Sequence, residues 1–212
     1  MNLRALAVGD GNSPNILVVG DGGTALVLPA SGPPLVNHTA MSKTLANLYA
    51  VAQNPNATKD DLLIGGAVVL TQGLAESWDG ANTFNPQMTA GGANIAGNIY
   101  ALLCGTNTFY AAGDMGAIVS RTSAGGAGGG ANKWASVTST VNTTLRAMWA
   151  TAENNIYAVG DGGTIIRYDG TKWGKVPIVT PPPPVSLRAI WGSSADNIYV
   201  VGDGGLVLHY LP

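Results

Sequence analysis

The stretch Asn155-Ile156-Tyr157-Ala158-Val159-Gly160-Asp161-Gly162-Gly163 recurs along the 212-residue chain, and its recurrence is the strongest structural signal in the sequence. Close copies begin at Asn15 and Asn197, and weaker copies lie at 61–66 and 108–116. The first glycines of the copies are 42 to 48 residues apart, at Gly20, Gly65, Gly113, Gly160 and Gly202. Self-similarity at such an interval is typical of repeat architectures.

Four short strands are predicted in each unit, and the recurring stretch is the second of them. A first strand precedes it, beginning at Leu3, Leu45, Ile99, Leu145 and Leu187. A third alternating run follows the glycine turn, at 24–28, 67–71, 117–121, 164–168 and 206–210. A fourth element is marked by Trp78, Trp134 and Trp173, and by Leu35-Val36 in the first unit. Gly-rich turns between alternating runs predict antiparallel hairpins.

These features predict an all-β fold, a single five-bladed β-propeller of four-stranded antiparallel blades. We expect the blades at approximately 1–43, 44–90, 91–141, 142–184 and 185–212, with three strands in the last one. A two-sheet sandwich has no reason to repeat one sequence five times, and a β-solenoid has a shorter period without a hairpin in each coil.

Composition and charge exclude several function classes. Ten Lys and Arg residues against twelve Asp and Glu residues give a formal charge of -2, so the basic surface of a nucleic-acid binder is missing. Because no run of about 18 apolar residues exists, membrane insertion is not expected. The single Cys104 cannot form a disulfide or a cysteine-based zinc site within one chain. We expect neither a cofactor nor a metal.

The segment Leu187 to Gly205 resembles the BNR/YVTN-like propeller repeats. These repeats are common in bacterial surface and secreted proteins, in phage-encoded proteins and in the photosystem II assembly factor family. The resemblance implies a propeller whose first strands lie nearest the central axis. It implies no activity, because propellers include lectins, hydrolases, scaffolds and receptors.

Sialidases are the enzymatic relatives that the repeats suggest, but the match is weak. Tyr168 to Trp173 and Ser77 to Gly80 only echo the family's Asp-box. The family's active site has a cluster of three arginines, and this chain has five: Arg4, Arg121, Arg146, Arg167 and Arg188. Of these, Arg4, Arg146 and Arg188 share one repeated position. A residue repeated in several units is more typical of a structural device than of a catalytic group.

The remaining chemistry-bearing residues do not form a catalytic set. Glycoside hydrolysis needs two carboxyl groups at a set separation. Glu76 and Glu153 are the only glutamates, and Glu153 lies in a predicted hairpin tip where we expect it to be solvated. His38 and His209 have no partner at metal-ligand or triad spacing. We therefore expect no enzymatic activity, and a sialidase-like hydrolase is the weakest alternative.

The turn aspartates Asp21, Asp114, Asp161 and Asp203 allow two interpretations. They could form a ring of carboxylates that binds calcium or sugar hydroxyls. Alternatively, each could pair with a first-strand arginine of a neighbouring blade, the arginines being Arg4, Arg146 and Arg188. The second interpretation is favoured because the unit around Gly65 has lost both the arginine and the aspartate.

The preferred function is a non-enzymatic structural or recognition module of a larger assembly, in a phage virion or on a bacterial surface. Its candidate partner surface is the outer edge of the last blade, Val207, Leu208, His209 and Tyr210. A lectin is the alternative, with a glycan stacked on Trp78, Trp134 or Trp173. Further aromatic residues, Tyr49, Trp149 and Trp191, are predicted at the ends of first strands.

Overall fold

The computed structural model describes residues 2–8, 16–28, 36–37, 46–53, 61–67, 75–79, 84–86, 97–122, 134–177 and 184–210. Side chains are described for these residues except 27–28, 36–37, 53, 61–64, 75–79 and 84–86, for which only the backbone is considered. Leu35 and His38 lie outside the described residues.

Nineteen strands form five antiparallel sheets within these residues. Sheet one contains β1 (Leu3–Val8), β2 (Ile16–Gly20), β3 (Ala25–Leu28) and β4 (Val36–Asn37). Sheet two contains β5 (Leu48–Gln53), β6 (Asp61–Gly66), β7 (Ala75–Asp79) and β8 (Phe84–Pro86). Sheet three contains β9 (Ile99–Cys104), β10 (Thr108–Gly113), β11 (Ile118–Thr122) and β12 (Ala135–Val137). Sheet four contains β13 (Leu145–Ala152), β14 (Asn155–Gly160), β15 (Ile165–Tyr168) and β16 (Trp173–Lys175). Sheet five contains β17 (Leu187–Ser194), β18 (Asn197–Gly202) and β19 (Val207–Tyr210).

Each sheet orders its strands as they follow in the chain, so every connection within a sheet is a hairpin. The prediction of an all-β chain of repeated antiparallel units is confirmed. Sheet five has three strands among the described residues, as the sequence predicted.

The first strand of every sheet carries a β-bulge at its second residue. In sheet four, Leu145 pairs with Gly160 and Ala147 pairs with Val159, so Arg146 between them has no partner on β14. The same irregularity occurs in the other four sheets. A bulged residue is turned away from the regular pleat, and its side chain is re-aimed. We name these five residues the bulge row: Arg4, Tyr49, Tyr100, Arg146 and Arg188.

A close backbone contact fixes this bulge and explains the repeated glycine. The N–H of Asp161 donates to the carbonyl oxygen of Thr144, just before β13, at 2.9 Å. A Cβ on Gly160 would overlap that same oxygen. All five sheets share the bond, with donor and acceptor at Asp21 and Asn2, Ala67 and Asn47, Asp114 and Asn98, Asp161 and Thr144, and Asp203 and Ser186. Glycine is therefore required by space at this position.

The alignment of sheet two predicted from sequence is wrong. Leu48, not Leu45, pairs with the turn glycine, which is Gly66 rather than Gly65. Tyr49 consequently lies in the bulge row and not at the end of the first strand. The third strand is β7, not residues 67–71, so Trp78 belongs to the third strand and Phe84 opposite it takes the tryptophan position. Sheet two lacks the turn aspartate that follows this glycine and marks the register in the other units.

Neighbouring sheets pack face to face through apolar side chains. Ile118 and Tyr110 of sheet three pack with Ile156, Ile166 and Trp173 of sheet four. The first strands also pack in sequence, β1 on β5, β5 on β9, β9 on β13 and β13 on β17. Over the described ranges, β17 makes no comparable contact with β1. The sheets therefore follow one another as layers without closing on themselves.

The glycine contact predicts a selective loss of stability. Gly160→Ala should destabilise the fold by about 2 kcal/mol, because the new methyl group forces apart the turn and β13. Gly174→Ala is the matched control, since a Cβ there meets nothing within 4 Å, and its effect should stay within about 0.5 kcal/mol. Urea unfolding measures both, and equal midpoints for the two variants would contradict the packing argument.

Candidate functional site

Three arginines of the bulge row form paired hydrogen bonds with turn aspartates. The Nε atoms of Arg4 and Arg188 lie 2.8 Å and 2.7 Å from the Oδ1 atoms of Asp21 and Asp203. Nη2 of Arg146 lies 2.7 Å from Oδ2 of Asp161, and its Nε also bonds to this carboxylate. Two parallel N–H donors on one carboxylate give a planar, directional contact.

Each pair lies within one sheet, so the prediction of pairing between neighbouring blades is wrong. The bulge directs the arginine side chain toward the turn that follows the second strand of its own hairpin. The sequence alone does not show that the arginine side chain points to this turn. Without a bulge, the second residue of the strand would follow the regular alternation of side chains between the two faces of the sheet. In sheet three the bulge-row residue is Tyr100 rather than an arginine, and Asp114 instead accepts hydrogen bonds from the Asn98 N–H at 2.9 Å and the Thr144 hydroxyl at 3.4 Å.

The arginines lower the pKa values of their partners. Hydrogen bonds from Arg4, Arg146 and Arg188 hold the pKa values of Asp21, Asp161 and Asp203 below the ordinary value of a carboxyl group. The same bonds raise the pKa values of Arg4 and Arg188. The carboxylates are therefore charged near neutral pH, and their oxygens are already engaged.

Aromatic and cationic members of the bulge row stack across sheet boundaries. The Tyr49 and Tyr100 rings are stacked with centroids 5.0 Å apart. The guanidinium groups of Arg4 and Arg146 lie 5.9 Å and 5.2 Å from the Tyr49 and Tyr100 ring centroids. Successive members of the bulge row are therefore in contact from sheet one to sheet four. In sheets two and three, aromatic and cation–π contacts of Tyr49 and Tyr100 take the place of the ion pair.

The described residues include no group of three or more His, Cys, Asp or Glu side chains that could hold a metal ion. Glu153 lies at the hairpin tip between β13 and β14, as predicted, and is part-exposed, but its carboxylate also joins two sheets. It accepts hydrogen bonds from the backbone N–H groups of Asn107 and Thr108, at the start of β10. No described helix is long and apolar enough to span a membrane.

The pKa shift of Asp161 predicts a pH-dependent mutant effect. Arg146→Ala should lower the free energy of unfolding by about 1 kcal/mol at pH 7, since the paired side chains are 25% and 30% exposed. A carboxyl whose pKa is lowered on folding stabilises the protein above its unfolded pKa of about 3.9, and this contribution is lost as the pH falls through the folded value. The difference between wild type and variant should therefore shrink below about pH 4.

Arg167→Ala is the control for this experiment, because Arg167 donates to the amide oxygen of Asn155 and not to a carboxylate. Its effect on denaturant midpoints should not depend on pH over the same range. A wild-type to Arg146→Ala difference that is constant from pH 7 to pH 2 would contradict the assignment.

The tryptophans proposed as stacking platforms are buried between sheets. Trp134 and Trp173 are 0% and 2% exposed. Trp173 packs edge-on against Tyr110 of sheet three, with centroids 6.4 Å apart, and against Tyr168 of its own sheet at 5.5 Å. Neither ring offers a face to solvent. The side chain of Trp78 lies outside the described part of the chain.

A matched pair of tryptophan variants tests this placement. Trp173→Ala should cost about 3 to 5 kcal/mol, because it empties a closed site between two sheets. Trp191→Ala should cost less than about 1 kcal/mol in the isolated chain, because 61% of Trp191 is exposed. Thermal unfolding compares the two variants, and similar losses would contradict the burial of Trp173.

The two terminal sheets expose side chains that are buried elsewhere in the repeat. Leu187 and Ile190 of sheet five are 0% and 9% exposed, packed on sheet four. Their counterparts in sheet one, Leu3 and Leu6, are 56% and 63% exposed. We name Leu3, Leu6 and Val8 the first end face.

Sheet five exposes the other of its two faces, the one that does not pack on sheet four. The residues on this face occupy the same repeat positions as four residues of sheet four that pack on sheet five: Trp149, Tyr157, Val159 and Ile165. Val159 is 0% exposed, whereas its counterpart Val201 is 40% exposed. We name the exposed set the second end face: Trp191, Tyr199, Val201 and Val207. Sequence reasoning missed both end faces because these residues follow the same pattern as buried ones.

The predicted partner edge, Val207, Leu208, His209 and Tyr210, is strand β19. It pairs with β18 on one side, and the described residues contain no fourth strand on the other. His209 stacks on Tyr199 with centroids 4.0 Å apart, and its Nε2 lies 2.7 Å from Oδ1 of Asn197. The strand is thus well held on its inner side.

Comparison with known proteins identifies the fold. No protein family model matches the chain, and no curated protein matches it. Among solved structures, YCF48 from Cyanidioschyzon merolae matches with a TM-score of 0.70 and 14% sequence identity. The match covers 100% of this chain and 70% of that chain. This likeness shows a β-propeller fold.

Proposed function

We propose that the chain is a non-enzymatic β-propeller module, with its five sheets as blades, that serves as a structural or recognition part of a larger assembly. The observation that carries this proposal is the pair of uncovered end faces. The end faces carry apolar residues at the same repeat positions as those that pack between sheets four and five. On the end faces these residues are exposed, because no described sheet packs on them. Contiguous exposed apolar surface of this kind marks protein interaction sites.

The separation of the two terminal sheets supports the same proposal. Over the described residues, β1 and β17 make no contact comparable with those between neighbouring first strands, so the two end faces do not cover each other. The end faces are therefore suited to a protein partner that presents an apolar sheet face.

Several features support a non-enzymatic role. Arg4, Arg146 and Arg188 are each engaged by an aspartate of their own sheet, so they do not converge on a shared anion. The buried Trp134 and Trp173 give the carbohydrate-binding alternative no support. Turnover of a fluorogenic sialoside, or saturable binding on a glycan array, would contradict this part of the proposal.

The assembly is proposed to be a virion or a bacterial surface complex. Fractionation of the native source, followed by detection of the chain in particles or envelopes, tests this location. Recovery only as a free monomer would contradict membership in any larger assembly.

The end faces predict self-association of the isolated chain. Purified protein should form concentration-dependent oligomers and bind a hydrophobic dye, because both apolar faces lack a partner. Leu6→Glu or Trp191→Glu should shift the distribution toward monomer, as measured by sedimentation velocity.

Met115→Glu is the matched control for these variants. Met115 is also a large exposed apolar residue, at 80%, but it lies in the turn after β10 and not on an end face. It should leave the mass distribution unchanged. A wild-type chain that stays monomeric at every concentration and binds no dye would contradict the proposal.

A further inference from the structure

The fourth strands of sheets three and four each insert a tryptophan between two sheets. Trp173 lies opposite Tyr168 in the register of β15 and β16. The registers of β11 and β12 place Trp134 at the same position, next to Arg121, whose guanidinium lies 5.4 Å from the Trp134 ring centroid. Trp173 packs with side chains of the preceding sheet, such as Tyr110 and Ile118, whereas the cluster around Trp134 consists of side chains of its own sheet.

Sheet five has a cavity at the corresponding place. The cavity has a volume of about 690 Å³ and lies between sheets four and five, beside β19. Its apolar wall consists of Tyr157, Ile165, Ile198, Val200, Leu208 and Tyr210, with Ile190 at its inner end. By repeat position, the first five are the counterparts of Tyr110, Ile118, Ile156, Ala158 and Ile166, which surround Trp173. Tyr210 is the counterpart of Tyr168, which stacks on Trp173.

The mouth of the cavity is positively charged. Arg167, Lys172 and Lys175 line it, together with one carboxylate, Asp169. Asp169 accepts hydrogen bonds from the hydroxyl and N–H of Thr171 and from the N–H of Lys172, which lower its pKa to about 2. Its Oδ1 holds the turn before β16, and its negative charge offsets only one of the three cationic side chains, so an incoming segment meets a net positive charge.

From these observations we propose that β19 and this cavity together bind an extended segment of a partner protein. The segment adds to β19 as an antiparallel fourth strand and places an aromatic side chain opposite Tyr210, in the cavity. Acidic residues beside that side chain face Arg167, Lys172 and Lys175. Strand addition supplies backbone hydrogen bonds, and the aromatic pocket supplies selectivity. The cavity shares no residue with the end faces on which the proposed function rests, and Val207 of β19 is the one residue that belongs both to the pairing strand and to the second end face.

A heptapeptide derived from β16 provides a direct probe. It has the sequence of residues 171–177 of this chain, with Lys172→Glu and Lys175→Glu to match the charged mouth, and a fluorescent label. Fluorescence anisotropy should show saturable binding to the full chain. The same peptide with Trp173→Gly should bind at least tenfold more weakly, and the peptide that keeps both lysines should bind more weakly than the glutamate peptide.

Two variants of β18 locate the binding site. Val200→Trp fills the cavity from its wall and should abolish binding. Val201→Trp, the next residue on the opposite side of the strand and part of the second end face, should leave binding unchanged. Near-ultraviolet circular dichroism confirms that each variant is folded. Hydrogen exchange at residues 207–210 should slow when the glutamate peptide is bound.

The titrations use the Leu6→Glu background, so that association through the end faces does not affect them. No saturable binding, equal affinity of the tryptophan and glycine peptides, or equal loss in both β18 variants would each overturn the proposal. A fall in the oligomer mass of Val200→Trp would also overturn it, because a second copy of the chain would then occupy the cavity. Assembly through the end faces is measured separately and can succeed or fail independently.

Discussion

One backbone hydrogen bond recurs in all five sheets, and the other features of the fold depend on it. The residue after the turn glycine donates its N–H to the carbonyl just before the first strand of the same sheet, as Asp161 does to Thr144 at 2.9 Å. This approach leaves no room for a Cβ on Gly160. It also sets the bulge that turns Arg146 toward Asp161. A single steric requirement thus yields the glycine and the bulge in every sheet, and the ion pair forms in the three sheets where the bulged residue is arginine and the turn residue is aspartate.

The same geometry gives every sheet two apolar faces, and each face needs a neighbour. Interior boundaries satisfy this need, as Val159 against Leu187 and Ile190 shows. The terminal sheets carry equivalent residues without a neighbour, and sheet five also has an unfilled tryptophan position beside β19. Repetition thus provides equivalent surfaces, and the proposed function assigns to partners the ones that are exposed on the first and fifth sheets.

The sequence predicted the units and their strand order wherever the Asp-Gly-Gly turn was present, because that turn fixes the register of the hairpin. In sheet two, where Gly65-Gly66 leads to an alanine, the first strand was placed three residues too early and the turn glycine one residue too early. The partner of each arginine was assigned to the wrong sheet, since a bulge depends on three-dimensional contacts. The end faces were also missed, because Leu6 and Ile190 occupy the same repeat position and differ only in what packs on them.

Thiol accessibility at the end faces tests the central claim most directly. In a Cys104→Ser background, single cysteines replace Leu6 or Trp191, and their labelling rates are measured in the isolated chain and in the native assembly. Dilute isolated chain should label at the rate of an exposed thiol, and labelling should slow at least tenfold in the assembly. Equal rates at both positions in the two states would contradict the claim that these faces are the surfaces through which the module is built into a larger structure.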